Sequence, residues 1–151
     1  MNGSTATEPG CDDDRMGLLP ALDGAFGDAS DAVVVDGDAT SWEALAGRAD
    51  ALGDRLAGAP AVALCGTPTL DTVSGVVAGL RAGVPVVPVP ADAGPVERGH
   101  ILRDSGATLV LGEPDWPEVE IERVLVPERG GGAPSSEVDD ARPALIMYTS
   151  G

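Results

Sequence analysis

The chain contains no lysine; all nine of its basic residues are arginines. That excludes a complete P-loop, whose lysine reaches the phosphates. It also excludes lysine as nucleophile or Schiff base. Aromatic residues are scarce, with one Phe, one Tyr and two Trp in 151 residues. A core built from this sequence must rest on small aliphatic packing. There is one His, and the two cysteines have no metal-ligand spacing, so nothing argues for zinc. Cys11 lies in a polar stretch and Cys65 in an apolar one. No disulfide is expected between them, and Cys65 reads as a small buried hydrophobe rather than a reactive thiol. No basic segment followed by an apolar run marks a signal peptide, and no apolar stretch is long enough to span a bilayer. The expected location is the cytoplasm. Positive charge is also short: nine basic against 25 acidic residues give a formal charge of −16. Nucleic acid and anionic membranes repel such a surface, which serves solubility instead.

What is present is an Ala-, Val-, Gly- and Leu-rich chain of a length that fits one domain with a real core. Residues 1–16 are polar and acidic and read as a disordered tail. Their Asp12-Asp13-Asp14 run lacks the spacing and turn glycine of a calcium loop. The domain is therefore expected over 17–151. Asp31 to Asp36 reads as a strand with a turn at Gly37-Asp38. Thr40-Ser41-Trp42-Glu43 fits a capping box with Thr40 as the cap. The helix after it carries Trp42, Leu45, Ala49, Leu52 and Leu56 on one stripe.

Ala61 to Cys65 reads as a short buried strand ending at Gly66. Thr67 as cap and Pro68 at the first helical position open a second helix, with Asp71 facing the dipole. Its apolar stripe is Leu70, Val73, Val76, Val77 and Leu80, and Gly83 is its glycine stop. Gly75 and Gly79 leave one side bare for close approach to a sheet. In Val84 to Pro90 the prolines restrict regular strand to Val86-Val87. Gly94-Pro95 opens a third helix, Ser105-Gly106 ends it, and Thr108 to Leu111 is the next strand. Arg123 to Val126 is a candidate short strand, and 128–142 a mobile Gly-, Ser- and Asp-rich connection. Ala144 to Met147 is a candidate buried strand running into Tyr148-Thr149-Ser150-Gly151. Strands alternating with helices predict an α/β fold: a doubly wound, mostly parallel sheet with helices on both faces.

Hydroxyl- and glycine-rich segments at the exit of a parallel strand suit phosphate oxygens. Four residues alone are weak, but the core before them adds order. Thr40-Ser41-Trp42-Glu43-Ala44-Leu45, the strand–helix–strand run Val62 to Val89, the helix Glu97 to Ser105 and the closing Tyr148-Thr149-Ser150-Gly151 together resemble the AMP-forming acyl-CoA synthetases of the adenylate-forming superfamily. The likeness covers about 31–112 and 144–151, and within the family it is nearest to malonyl-CoA synthetases and related actinobacterial fatty-acid–CoA ligases. The resemblance implies ATP, Mg²⁺ and CoA as co-reactants. A carboxylic acid is activated at the α-phosphate of ATP, then passed to the CoA thiol. It also implies that Thr149, Ser150 and Gly151 open the ATP phosphate loop, with Tyr148 packing at the strand end.

The rest of that loop, the acyl pocket, the metal-binding Glu and the catalytic Lys lie downstream in the family. No catalytic or metal-binding residue is therefore assigned here. The chain reads as an N-terminal fragment, an incomplete AMP-binding domain ending inside the phosphate loop. By itself it is expected to be inactive, to bind nucleotide poorly and to self-associate through an incompletely covered sheet. Two alternatives stand beside this reading: a non-catalytic α/β binding module, and a ligase delivering its acyl group to a carrier protein. His100 has no partner placed by motif and is read as a surface or structural residue.

Overall fold

The computed structural model describes residues 20–131 and 141–149. The expected tail at 1–16 and most of the connection at 128–142 lie outside the described residues. The described residues open on a 3-10 turn, Pro20–Asp23. Next comes a hairpin of β1 (Val33–Val35) and β2 (Asp38–Thr40), paired antiparallel. Its turn places Asp36 and Gly37 at φ of 50° and 91°, the two positive dihedrals of a hairpin turn whose twist matches its strands. This corrects the sequence reading in two ways. The segment 31–36 pairs with 38–40, not with the main sheet, because a two-residue turn returns the chain at once. Thr40 is held in that ladder opposite Val33, so the cap of helix α1 (Trp42–Leu56) is Ser41, whose Oγ accepts from the Ala44 N–H at 3.1 Å.

Among the described residues a second sheet holds four parallel strands in the order β4-β3-β5-β6: Val86–Pro90, Val62–Gly66, Leu109–Leu111 and Glu122–Val124. Helix α2 (Leu70–Ala82) links β3 to β4, and α3 (Pro95–Ser105) links β4 to β5. Alternate residues of each strand point to opposite faces, so two cores form. One joins Leu45, Leu52 and Leu56 of α1 and Val77 of α2 to Val62, Leu64, Val86 and Leu111. The other joins Ile101 and Leu102 of α3 to Ala63, Val87, Val89 and Val110. Helices thus cover both faces, as the strand–helix alternation predicts.

The cap of α2 is Thr69 rather than Thr67; its Oγ1 accepts from the Thr72 N–H at 3.2 Å. After β3 the backbone makes two tight turns, with the Thr67 N–H donating to the Cys65 carbonyl at 2.8 Å and the Thr69 N–H to the Thr67 carbonyl at 2.9 Å, and the helix starts only after them. The side of α2 against the sheet is its small one. A Cβ at Gly75 would meet Leu111 Cδ1 at 2.7 Å, and one at Gly79 would run into Val86 Cγ2 and, at 2.9 Å, the Val84 carbonyl. Gly83, at φ 63°, ends the helix.

Strand β4 runs on through Pro88 and Pro90, further than expected. The backbone groups of Val86 face outward: its N–H donates to the Ala144 carbonyl at 3.0 Å and its carbonyl accepts from Ile146 N–H at 2.9 Å. Residues two and four further on face the same way, so both prolines place their missing N–H on the outer side, while Val87 and Val89 serve β3. The same prolines prevent a longer ladder there. The segment Ala144 to Met147 therefore makes a single parallel bridge, Val86 with Leu145. It is an edge segment, not the buried strand expected, with Leu145 and Met147 45% and 67% exposed.

Candidate functional site

In a parallel sheet all carboxyl ends lie on one edge, and ligand crevices open where the strand order reverses. Here β3 is followed by β4 on one side, while β5 lies on the other. A cavity of about 280 Å³ occupies this switch point, bordered by Cys65, Thr67, Thr72, Gly112, Glu113 and Val126. The three threonine hydroxyls on its wall, Thr67, Thr69 and Thr72, are engaged with one another. Thr72 Oγ1 donates to the Cys65 carbonyl at 3.3 Å and lies 3.1 Å from Thr69 Oγ1, and Asp71 is ion-paired with Arg48. Cys65 is a free, half-buried thiol. Burial pushes its pKa up and the Arg98 guanidinium offsets this only in part, so it stays protonated and unreactive near neutrality.

The closing segment runs parallel to β4, so Tyr148 and Thr149 leave the sheet at this same carboxyl edge. They emerge two to three strand widths, about 10–14 Å, from the switch point. Alternation turns Ile146 and Tyr148 inward against the α3-side core, and Leu145 and Met147 to the other face. The Tyr148 hydroxyl donates to Asp104 Oδ2 at 2.7 Å. The His100 ring meets the Tyr148 ring edge-on, centroids 6.3 Å apart. The hydrogen bond to the Asp104 carboxylate holds the phenol above its usual pKa range, with burial and the carboxylate charge adding to it. Thr149 is exposed beyond it. Ser150 and Gly151 lie outside the described residues.

Several interactions had no signal in residue spacing. Arg98 is 7% exposed, bonded to Glu118 Oε1 at 2.6 Å and to the Ala93 carbonyl at 3.0 Å. Its guanidinium lies 5.3 Å from the centre of the Trp116 ring, and Trp116 is itself 3% exposed. The only advance sign of a buried loop was a tryptophan set between Asp115 and Pro117. Across the sheet, Asp50 is buried and paired with Arg81 at 2.7 Å, tying α1 to α2. Among the described residues no group of three or more His, Cys, Asp and Glu could hold a metal, and no helix is long and apolar enough to cross a membrane.

The family model described as "AMP-binding enzyme" matches residues 25–151. The chain belongs to the AMP-binding enzyme family. Among solved structures it is similar to a malonyl-CoA ligase with methylmalonyl-CoA and AMP bound, at 39% identity and a TM-score of 0.76 over 89% of this chain and 30% of that one. It shares the fold of VinN in complex with 3-methylaspartate, at 21% identity and a TM-score of 0.68 over 87% of this chain and 43% of that one. It also shares that of the nonribosomal peptide synthetase FmoA3 with α-methyl-L-serine-AMP bound, at 21% and 0.66 over 80% and 15%. No curated protein matches the chain. In this AMP-binding domain the parallel sheet with helices on both faces is the fold that the strand order and the family likeness led one to expect. The chain spans less than half the length of these relatives.

Proposed function

We propose that this AMP-binding domain belongs to an AMP-forming acid–thiol ligase that makes an acyl-CoA from ATP, CoA and a small carboxylic acid of malonyl type. The observation that carries the reading is the 39% identity to a malonyl-CoA ligase across 89% of the chain. It favours CoA over a carrier protein as acceptor, since the peptide synthetase at 21% identity shares the fold alone. In this reading Thr149, Ser150 and Gly151 open the phosphate loop. Thr149 is exposed where the segment leaves the sheet, and hydroxyls with glycine N–H groups suit phosphate oxygens. Bound ATP would supply the phosphorus at which a carboxylate is activated. The residues present fit the opening of that loop. Mg²⁺ and CoA enter through the family, and no described residue is assigned to them.

The test is a chimera in which residues 1–151 replace the matching part of the malonyl-CoA ligase, assayed by ATP–pyrophosphate exchange with malonate, methylmalonate and a fatty acid. Exchange with a dicarboxylate is expected, with the KM for ATP raised by Thr149→Val. A folded chimera that binds no ATP would overturn the reading. Residues 1–151 alone, which lack lysine, are expected to give no exchange. Exposed Leu145 and Met147 at the sheet edge favour self-association of that chain, which sedimentation would register as concentration-dependent mass.

A further inference from the structure

We propose that Asp104 and Tyr148 form a positioning pair through which helix α3 fixes where the chain leaves the sheet at Thr149. The inference rests on reading Thr149 as the start of a phosphate loop, and deepens it. Two backbone hydrogen bonds, both to Val86, attach the closing segment to β4. Past that point Pro88 and Pro90 have no N–H to offer on this side. The backbone ladder therefore ends before the site begins, and side chains must set the direction of exit.

Ile146 and Tyr148 do so by packing on the α3-side core, and the 2.7 Å bond from the phenol to Asp104 fixes the angle. A hydroxyl bound to a carboxylate is among the stronger and more directional hydrogen bonds. His100 stands four residues before Asp104 on α3, so both occupy one helix face; its ring closes on the Tyr148 ring from the side. Helix α3 is itself anchored. Buried Arg98 ties it to Glu118 and to the Ala93 carbonyl. An anchored helix thus reaches across to the first exposed residue of the loop. The same hydrogen bond, with burial and the carboxylate charge adding to it, holds the phenol above its usual pKa range.

The chain has one tyrosine and one histidine, so both rings can be read without ambiguity by NMR and the phenol by ultraviolet titration. In the 151-residue chain, Asp104→Asn is expected to move the phenol titration to lower pH. It should also drop the Thr149 amide order parameter from about 0.85 to below about 0.6. Tyr148→Phe should loosen Thr149 equally, the double variant should add nothing, and Asp104→Glu should restore part of the order. If Asp104→Asn leaves either the phenol titration or Thr149 order unchanged, the proposal fails. A lowered urea midpoint with Thr149 order intact overturns it too, since the pair would then serve stability alone. None of these readouts involves ATP. A chimera that binds no nucleotide while Thr149 responds as expected would sink the ligase reading and leave the pair standing.

Discussion

The two faces of the central sheet are closed by different means. On one, α1 and α2 lie side by side. The fit depends on missing side chains at Gly75 and Gly79, and the buried Asp50–Arg81 pair joins the helices. On the other, α3 is the one long helix among the described residues. The cover is completed by a loop tryptophan, by Arg98 and by Ile146 and Tyr148 from the closing segment. The first face is assembled mostly from contiguous sequence, residues 42–86. The second draws on Ala61 and Ala63 of β3 and on residues from 87 to 148, and joins the core directly to the strand exit. Disturbance of the first face should therefore read out as stability. Disturbance of the second should read out as stability and as the geometry of the exit.

The largest effect expected is on the second face. Trp116→Ala removes a nearly fully buried ring and should lower unfolding free energy by about 3–5 kcal/mol, measured by urea denaturation. It should also loosen Tyr148. Gly79→Ala comes next: the added methyl has Val86 and the Val84 carbonyl in its way, and overpacking of this kind costs about 1–3 kcal/mol. The His100 and Tyr148 ring signals should move less than in Trp116→Ala, because the methyl enters on the opposite face and reaches the closing segment only through Val86. If both variants shift those rings equally, the faces are not independent.

Arg98→Met keeps much of the apolar stem but removes the bonds to Glu118 and the Ala93 carbonyl. A loss of about 2 kcal/mol is expected, the scale of hydrogen bonds to a charged group. The smallest effect is the pH response of Glu118. A bond from its own backbone N–H and, less strongly, Arg98 hold its pKa below the usual carboxylate value. The folded state therefore binds that proton less readily than the unfolded chain. The stabilisation is present above the ordinary carboxylate range and is lost as pH falls through the lowered folded value. Glu118→Gln should flatten the acid limb of stability in urea titrations from neutral to acidic pH; an unchanged limb would show that Glu118 ionisation contributes nothing to that limb.

Much of this was legible from residue order. The stripe Leu45, Ala49, Leu52 and Leu56 is buried as its spacing predicts. The glycine stops at Gly83 and Gly106 adopt left-handed dihedrals of 63° and 69°. The bare side of α2 does meet the sheet. Caps were less legible, since Thr40 and Thr67 each had a competing serine or threonine nearby, and the backbone path chose between them. Thr149 stands exposed at the carboxyl edge as a strand-exit residue should, while Ser150 and Gly151 lie outside the described residues. The link from Tyr148 to Asp104 spans 44 positions and has no periodicity to announce it.

By itself, the sequence determined the local conformations and their order. Dihedral preference, capping and hydrophobic period act within a few residues, and they set the strands, helices and stops that make a parallel α/β sheet. Only the tertiary structure decided which strands are neighbours. It decided that the hairpin stands apart, that prolines in β4 cut short the pairing of the closing segment, and that Arg98 and Trp116 are buried together. Those outcomes depend on which groups meet after folding, and contacts between distant residues leave no spacing in the chain. The strand exit at Thr149 belongs to both: its residue types are written locally, and its direction is set by a helix more than forty positions before it.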